Sequence, residues 1–174
     1  LIQSGGIVTI NCGELEVQGD YLVQALDDGS YVNSAGTLKM TNDADTVKVV
    51  GDFVMQSTQS HQELLSAGTL EIGGDLIKTA GSNYNFYTSG THTVVLNGSQ
   101  KQNVTIAGNS KSLSRINNLK IENTSDDGVE ITRSVYVVGE LYNTDIPVAK
   151  GSILYTATTT DFVENSWIHD ITFA

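Results

Sequence analysis

The sequence predicts an all-β chain of solenoid type, a right-handed parallel β-helix in which each coil pairs with the coils above and below it. Three observations point there. The stretch GDFVMQSTQSHQELLSAG (51 to 68) has a copy on either side, GDYLVQALDDGSYVNSAG (19 to 36) and GDLIKTAGSNYNFYTSG (74 to 90). Within the copies apolar residues recur with a period of two, as in strands with one buried face. The link from one copy to the next varies by whole strands, from 15 residues between Gly36 and Gly51 to 6 between Gly68 and Gly74. A unit that loses a strand and keeps its register behaves like a stacking coil. An antiparallel β-sandwich, which also yields short strands at close spacing, is the alternative.

The elements follow in order. Ser4-Gly5-Gly6 already has the register of Ser34-Ala35-Gly36, with Val8 and Ile10 matching Leu38 and Met40. Leu15 and Val17 form the strand before Gly19-Asp20, as Val47 and Val49 do before Gly51-Asp52, and Leu70 and Ile72 before Gly74-Asp75. After each Gly-Asp come Tyr21-Leu22, Phe53-Val54 and Leu76-Ile77. Val32, Leu64 and Phe86 stand four residues before the closing glycines. Thr37, Thr69 and Thr91 follow those glycines, which aligns Leu38, Leu70 and His92. Leu38, Met40, Val49, Leu64, Leu70 and Ile72 are expected to share one core. SHQELLS (60 to 66) is the nearest approach to a helix, but its counterparts read as strand or loop.

Beyond Gly90 the unit decays. Val94, Leu96, Val104 and Ile106 still alternate, and strands continue at Ile116, Leu119 and Ile121, at Val129 and Ile131, and at Val135 and Val137. Gly139-Glu140-Leu141-Tyr142 is a degenerate fourth copy. Asp145 to Ala174 matches no repeat, and its cluster of Trp167, Ile168, Ile171 and Phe173 reads as a cap over the open core. Residues 1–106 are thus read as repeat coils and 107–174 as degenerate coils and C-terminal cap of the same domain. The N-terminal coil begins at full register with no polar cap, so self-association through residues 1–17 is expected. The first residue is Leu, with no signal pattern, so an upstream region or leader is expected to have been removed.

Composition narrows the function classes. Lys and Arg number 9 against 20 Asp and Glu, a formal charge of −11. Phosphate neutralisation needs clustered cations, so nucleic acid is excluded as a partner. No apolar run reaches the roughly 18 residues of a membrane span, so no membrane insertion is expected. The single Cys12 closes no internal disulfide and reads as a small core filler.

Candidate sites are few. Asp20, Asp52 and Asp75 share a register and read as turn residues whose carboxylates hold local backbone amides, or alternatively as an acidic ladder holding a cation. Asp27-Asp28-Gly29, Asn42-Asp43-Ala44-Asp45 and Asp126-Asp127-Gly128 read as solvated turns without the ligand pattern of a calcium loop. His61, His92 and His169 are too scattered for a metal, and His92 is expected at a corner with one ring nitrogen satisfied. No catalytic, cofactor-binding or metal-ligating residue is predicted. The candidate ligand-contacting aromatics are Tyr31, Tyr84, Phe86 and Tyr87, which read first as cross-strand packing ladders and alternatively as rings that stack on sugars or fill partner pockets.

At SAGTLKM (34 to 40), VKVVGDFVMQS (47 to 57), SHQELLSAGTLEIGGDL (60 to 76) and SGTHTVVLNGSQKQNV (89 to 104), the chain resembles a repeat of large secreted surface proteins of Firmicutes, similar to haemagglutinin-type and adhesin β-solenoids. The resemblance covers about residues 4 to 106 and carries no catalytic residue. It implies a structural or adhesive segment of an extracellular bacterial surface protein, secreted or at the cell surface, without catalysis and without cofactors. Partners would be host or cell-wall glycans or proteins. A polysaccharide-processing enzyme and a glycan-binding module are the alternatives.

Overall fold

The computed structural model describes residues 1–132 and 135–142, together with the backbone of residues 143, 148–149, 153–155 and 171–173. The chain is an all-β solenoid of about five turns, with no helix among the described residues. Each turn contributes to three faces in sequence.

The first face is a six-stranded parallel sheet of β2 (Glu14–Val17), β6 (Thr46–Val49), β8 (Thr69–Ile72), β10 (Thr93–Leu96), β12 (Asn118–Ile121) and β15 (Leu141–Asn143). The second stacks β3 (Tyr21–Asp27), β7 (Phe53–Met55), β9 (Leu76–Lys78), β11 (Gln102–Ile106), β13 (Val129–Ile131) and β16 (Val148–Ala149). β4 (Ser30–Asn33) folds back antiparallel on β3. On the third face β1 (Ile7–Thr9) pairs with β5 (Thr37–Lys39), and β14 (Val135–Val137) with β17 (Ile153–Tyr155) and then β18 (Ile171–Phe173). Between these two groups the third face narrows to single-residue bridges at Met40, Leu65, Thr88 and Arg115. The sandwich alternative fails because β3–β4 is the one antiparallel pair among the described strands.

Stacking identical registers turns each inward position into a ladder. Leu15, Val47, Leu70, Val94, Leu119 and Leu141 face one another across the first sheet, and Val17, Val49, Ile72, Leu96 and Ile121 form a second row. On the second sheet Tyr21, Phe53, Leu76, Val104 and Ile131 line up. The Tyr21 and Phe53 rings meet edge to face at 5.4 Å, and Phe53 tilts against Phe86 at 6.0 Å. These rows form one core from Ile10 to Leu141. Each fully buried Leu, Ile, Val or Phe contributes roughly 1.5–3 kcal/mol, so the core repeats its stabilisation with every turn.

The coil register differs from the sequence alignment. Leu38 lies opposite Val8 on the third face, whereas Leu70 lies on the first face between Val47 and Val94. The strand shortened in the compact copy is therefore the third-face strand, reduced to Leu65, and Thr46, Thr69 and Thr93 are the equivalent threonines. A one-residue difference moves the core position from Leu64, half-buried, to Leu65, fully buried. SHQELLS makes a single turn, with the Leu64 and Leu65 amides donating to the His61 carbonyl. Cys12 is exposed at φ 55°, a loop position and not a core filler.

The N-terminal end is also more finished than the sequence implied. Leu1 to Gln3 pair with Leu22, and β4 covers the rest of the β3 edge. The buried Gln3 side chain plugs the core: its Oε1 accepts the Tyr21 hydroxyl at 2.7 Å, and its Nε2 donates to the Gly6 and Thr37 carbonyls. A polar cap thus exists where none was expected. Among the described residues no strand pairs with the outer edges of β1 and β2. At the other end, Trp167, Ile168 and the remainder of the cap expected there lie outside the described residues.

Candidate functional site

The outward positions of the same ladders carry the polar chemistry. Asp20, Asp52 and Asp75 do stack at one corner, and each carboxylate reaches the next coil instead of its own turn. Asp20 Oδ1 accepts the Asp52 amide at 2.9 Å, Asp52 Oδ1 accepts the Asp75 amide at 2.7 Å, and Asp75 takes both the amide and the side-chain nitrogen of Asn103. A carboxylate whose oxygens hold amides at every step is a stitch between coils. Among the described residues no three His, Cys, Asp or Glu side chains are grouped to hold a metal ion.

Of the acidic loops, Asp28-Gly29 forms the β3–β4 turn with φ of 45° and 74°, as a tight hairpin requires, and Asp126 and Asp127 are exposed. Asp45 departs from the solvated-turn reading. It is fully buried, and it accepts the amides of Cys12 (2.7 Å), Thr41 (2.8 Å) and Asn42 (3.0 Å). Burial pushes its pKa up, but the three backbone donors outweigh that and hold it below the ordinary carboxylate value.

Both described histidines are interior. His61 Nε2 accepts the Leu38 amide at 3.1 Å, and His92 Nδ1 stands 2.9 Å from the Ala67 carbonyl, to which it donates. The second ring nitrogen of each is buried without a partner. Burial lowers both to about 4, so both rings are neutral near pH 7. His92 fits its expectation of one satisfied nitrogen; His169 lies outside the described residues.

Sequence reading overlooked two inward polar residues because they stand in otherwise apolar rows. Lys78 is buried at the end of β9, where its Nζ donates to the Ala107 carbonyl at 2.7 Å, and burial lowers its pKa. Gln102 is buried in β11, donating to the Ile72 and Gly74 carbonyls and accepting from the Gly98 amide and Asn123 Nδ2. Alternation alone marks such positions, since each falls where an apolar residue is due.

The candidate aromatics separate into three environments. Phe86 is fully buried against Phe53 and is unavailable to any ligand, because its position faces the core. Tyr31 is exposed on the β4 hairpin opposite Leu26, which is also exposed. Tyr84 and Tyr87 are half-buried together at the corner between the second and third faces, their rings 6.3 Å apart. Arg115 stands one coil above Tyr87 in direct register and places its guanidinium carbon 4.0 Å from that ring centre.

On the outside of the first sheet, Glu16, Lys48, Glu71, Asn97 and the glycines 73 and 98 line an open groove of about 320 Å³. Its floor is bare because a Cβ at Gly98 would stand 2.4 Å from the Gly73 carbonyl oxygen. Glu16, Lys48 and Glu71 alternate in one row on successive coils. Lys48 is bonded to Glu14 at 2.7 Å, which raises its pKa.

No family model, curated protein or solved structure matches this chain.

Proposed function

We propose that the chain is a structural or adhesive segment of an extracellular bacterial surface protein and carries no catalysis. The observation that supports this reading is the unbroken inter-coil stitching: two parallel sheets of six stacked strands each, doubled at the corner by the Asp20, Asp52, Asp75 staircase. Such a stack is stiff along its axis, holds side chains in evenly spaced rows on its outside, and extends by adding coils. Its acidic surface suits an exposed location. Labelling intact cells of the source organism with an antibody against the folded segment tests this. Staining of unlysed cells is expected; staining that requires lysis contradicts the proposal.

The polysaccharide-processing alternative would have to use the groove on the first sheet. That groove holds two carboxylates, Glu16 and Glu71, with Lys48 between them in register and its ammonium paired to Glu14. Two coil steps separate those carboxylates by roughly 9–10 Å, at or beyond the upper limit for an inverting pair and far beyond a retaining one. Release of reducing ends or unsaturated products from plant or cell-wall polysaccharides, abolished by Glu71→Gln, would establish this reading. No turnover is expected.

A further inference from the structure

Acidic residues are absent from one long run of this acidic chain. Between Asp75 and Glu122 there is no Asp or Glu, while Lys78, Lys101, Lys111, Arg115 and Lys120 all fall there. Three of these cations are spent within the fold: Lys78 is buried on the Ala107 carbonyl, Lys101 pairs with Glu130, and Lys120 pairs with Glu122. Lys111 and Arg115 make no ion pair among the described residues; Arg115 stands on Tyr87, which lies beside Tyr84, and the Lys111 backbone adjoins Arg115 through its carbonyl. Glu63, exposed on the coil below, pairs with neither.

The corner is built, not merely charged. Arg115 Nε donates to the Thr88 carbonyl at 3.2 Å, one Nη donates to the Lys111 carbonyl, and the Tyr87 ring supports the guanidinium plane. A guanidinium has five N–H donors, so three remain without a protein partner among the described residues. Fixing the plane in advance removes much of the ordering cost of a bidentate bond to a carboxylate. Lys111 is exposed beside it, and the tilted Tyr84 ring offers an apolar surface at a polar rim.

We propose that Tyr84, Tyr87, Lys111 and Arg115 form a binding corner for a carboxylate-bearing saccharide, with a sugar ring against Tyr84 and its carboxylate on the Arg115 guanidinium that Tyr87 supports. This rests on the adhesive half of the function proposed above and names its ligand class. Two free cations suit one carboxylate per sugar unit; a nucleic acid would need many more to offset a net charge of −11. That same charge repels polyanions in general, so retention of one by this chain reports a local site.

The test is native electrophoresis of the full chain through gels containing polygalacturonate or the neutral polymer dextran. Retardation by polygalacturonate alone is expected, weakened by salt. Arg115→Gln should weaken it about tenfold, the scale of one charge-assisted bond. Lys111→Ala, at an exposed side chain that leaves the fold unstrained, should weaken it severalfold at an unchanged melting temperature. Equal retardation by both polymers, or retardation unchanged in both variants, overturns the carboxylate site while leaving an adhesive role intact. Retardation by neither polymer overturns the site and leaves only the structural role. Arg115-dependent dimers in sedimentation would overturn it in favour of the acidic coils of a second copy.

Discussion

The Asp52 carboxylate accepts the backbone amide of Asp75, one coil away, at 2.7 Å, so a residue in one turn of the solenoid satisfies the donor that opens the equivalent strand in the next. Hydrogen bonds with an ionised acceptor are worth about 1.5–3 kcal/mol, set here against repulsion between carboxylates stacked roughly 5 Å apart. Asp52→Ala should therefore lower the melting temperature by several degrees, and Asp52→Asn, which keeps a carbonyl acceptor and removes a charge, by less. Calorimetry decides this. An alanine variant as stable as the parent would show that repulsion cancels the stitch.

Gly19 and Gly74 hold the same place in the repeat but different surroundings. A Cβ at Gly19 meets nothing within 4 Å, whereas at Gly74 it would stand 2.6 Å from the Gly51 carbonyl carbon and 2.4 Å from Asp52 Oδ1. Neither position has a positive φ, so the requirement for glycine comes from the approach of the coil beneath and not from turn conformation. Gly74→Ala should lose a few kcal/mol, the scale of overpacking, while Gly19→Ala stays near neutral. Equal denaturant midpoints for the two variants would contradict this.

Acid should destabilise the fold in two stages. His61 and His92 have folded values of about 4 against 6.5, so the unfolded chain protonates first. Their contribution is complete above pH 6.5 and is lost as pH falls from 6.5 toward 4, by up to about 3 kcal/mol each. Asp45 has a depressed value, so its contribution is present above the ordinary carboxylate range and is lost in stronger acid, as pH falls through its folded value. Melting temperature against pH should slope downward from 6.5, and His92→Gln should flatten that slope. A curve level between pH 7 and 4.5 would contradict buried neutral rings.

The repeat, the parallel stacking and most of the core were legible in the sequence because alternation and Gly-Asp spacing report directly which residues face inward. Leu70, Ile72, Val94 and Val104 followed from period two alone. What escaped was the third face: its strands shrink to single bridges at Leu65 and Thr88, too short for periodicity to register, so aligning closing glycines placed Leu38 and Leu70 in one row. Phe86, weighed both as a packing residue and as a ligand contact, proves to be a core residue. Of the binding corner, Tyr84 and Tyr87 could be singled out as aromatics, but the contribution of Arg115 depends on a register 28 residues downstream that only the coil stacking reveals.

Among the described residues, β1 and β2 are the end strands of their sheets. β1 and β2 each have one paired side, on β5 and β6, while residues 1–3 and β4 protect β3. Unpaired edges recruit strands. Concentration-dependent association is expected by sedimentation, and Val8→Lys should weaken it. A strict monomer at high concentration would mean that the Gln3 plug and the outward Glu14 and Glu16 are sufficient to block pairing.

Every ladder depends on coils in direct register, which Val54 and Ile77 report most simply. They face outward on β7 and β9 as paired residues one coil apart, with Leu22 paired to Val54 from the coil below. Nitroxide labels on cysteines at 54 and 77, in a Cys12→Ser background, should lie close enough for strong spin-exchange broadening, as should labels at 22 and 54. Labels at 22 and 77, two coils and roughly 10 Å apart, should broaden much less. Strong broadening for both adjacent pairs and weak broadening for the third is the predicted result. Sharp, non-interacting spectra for 54 with 77 would contradict the stacked solenoid.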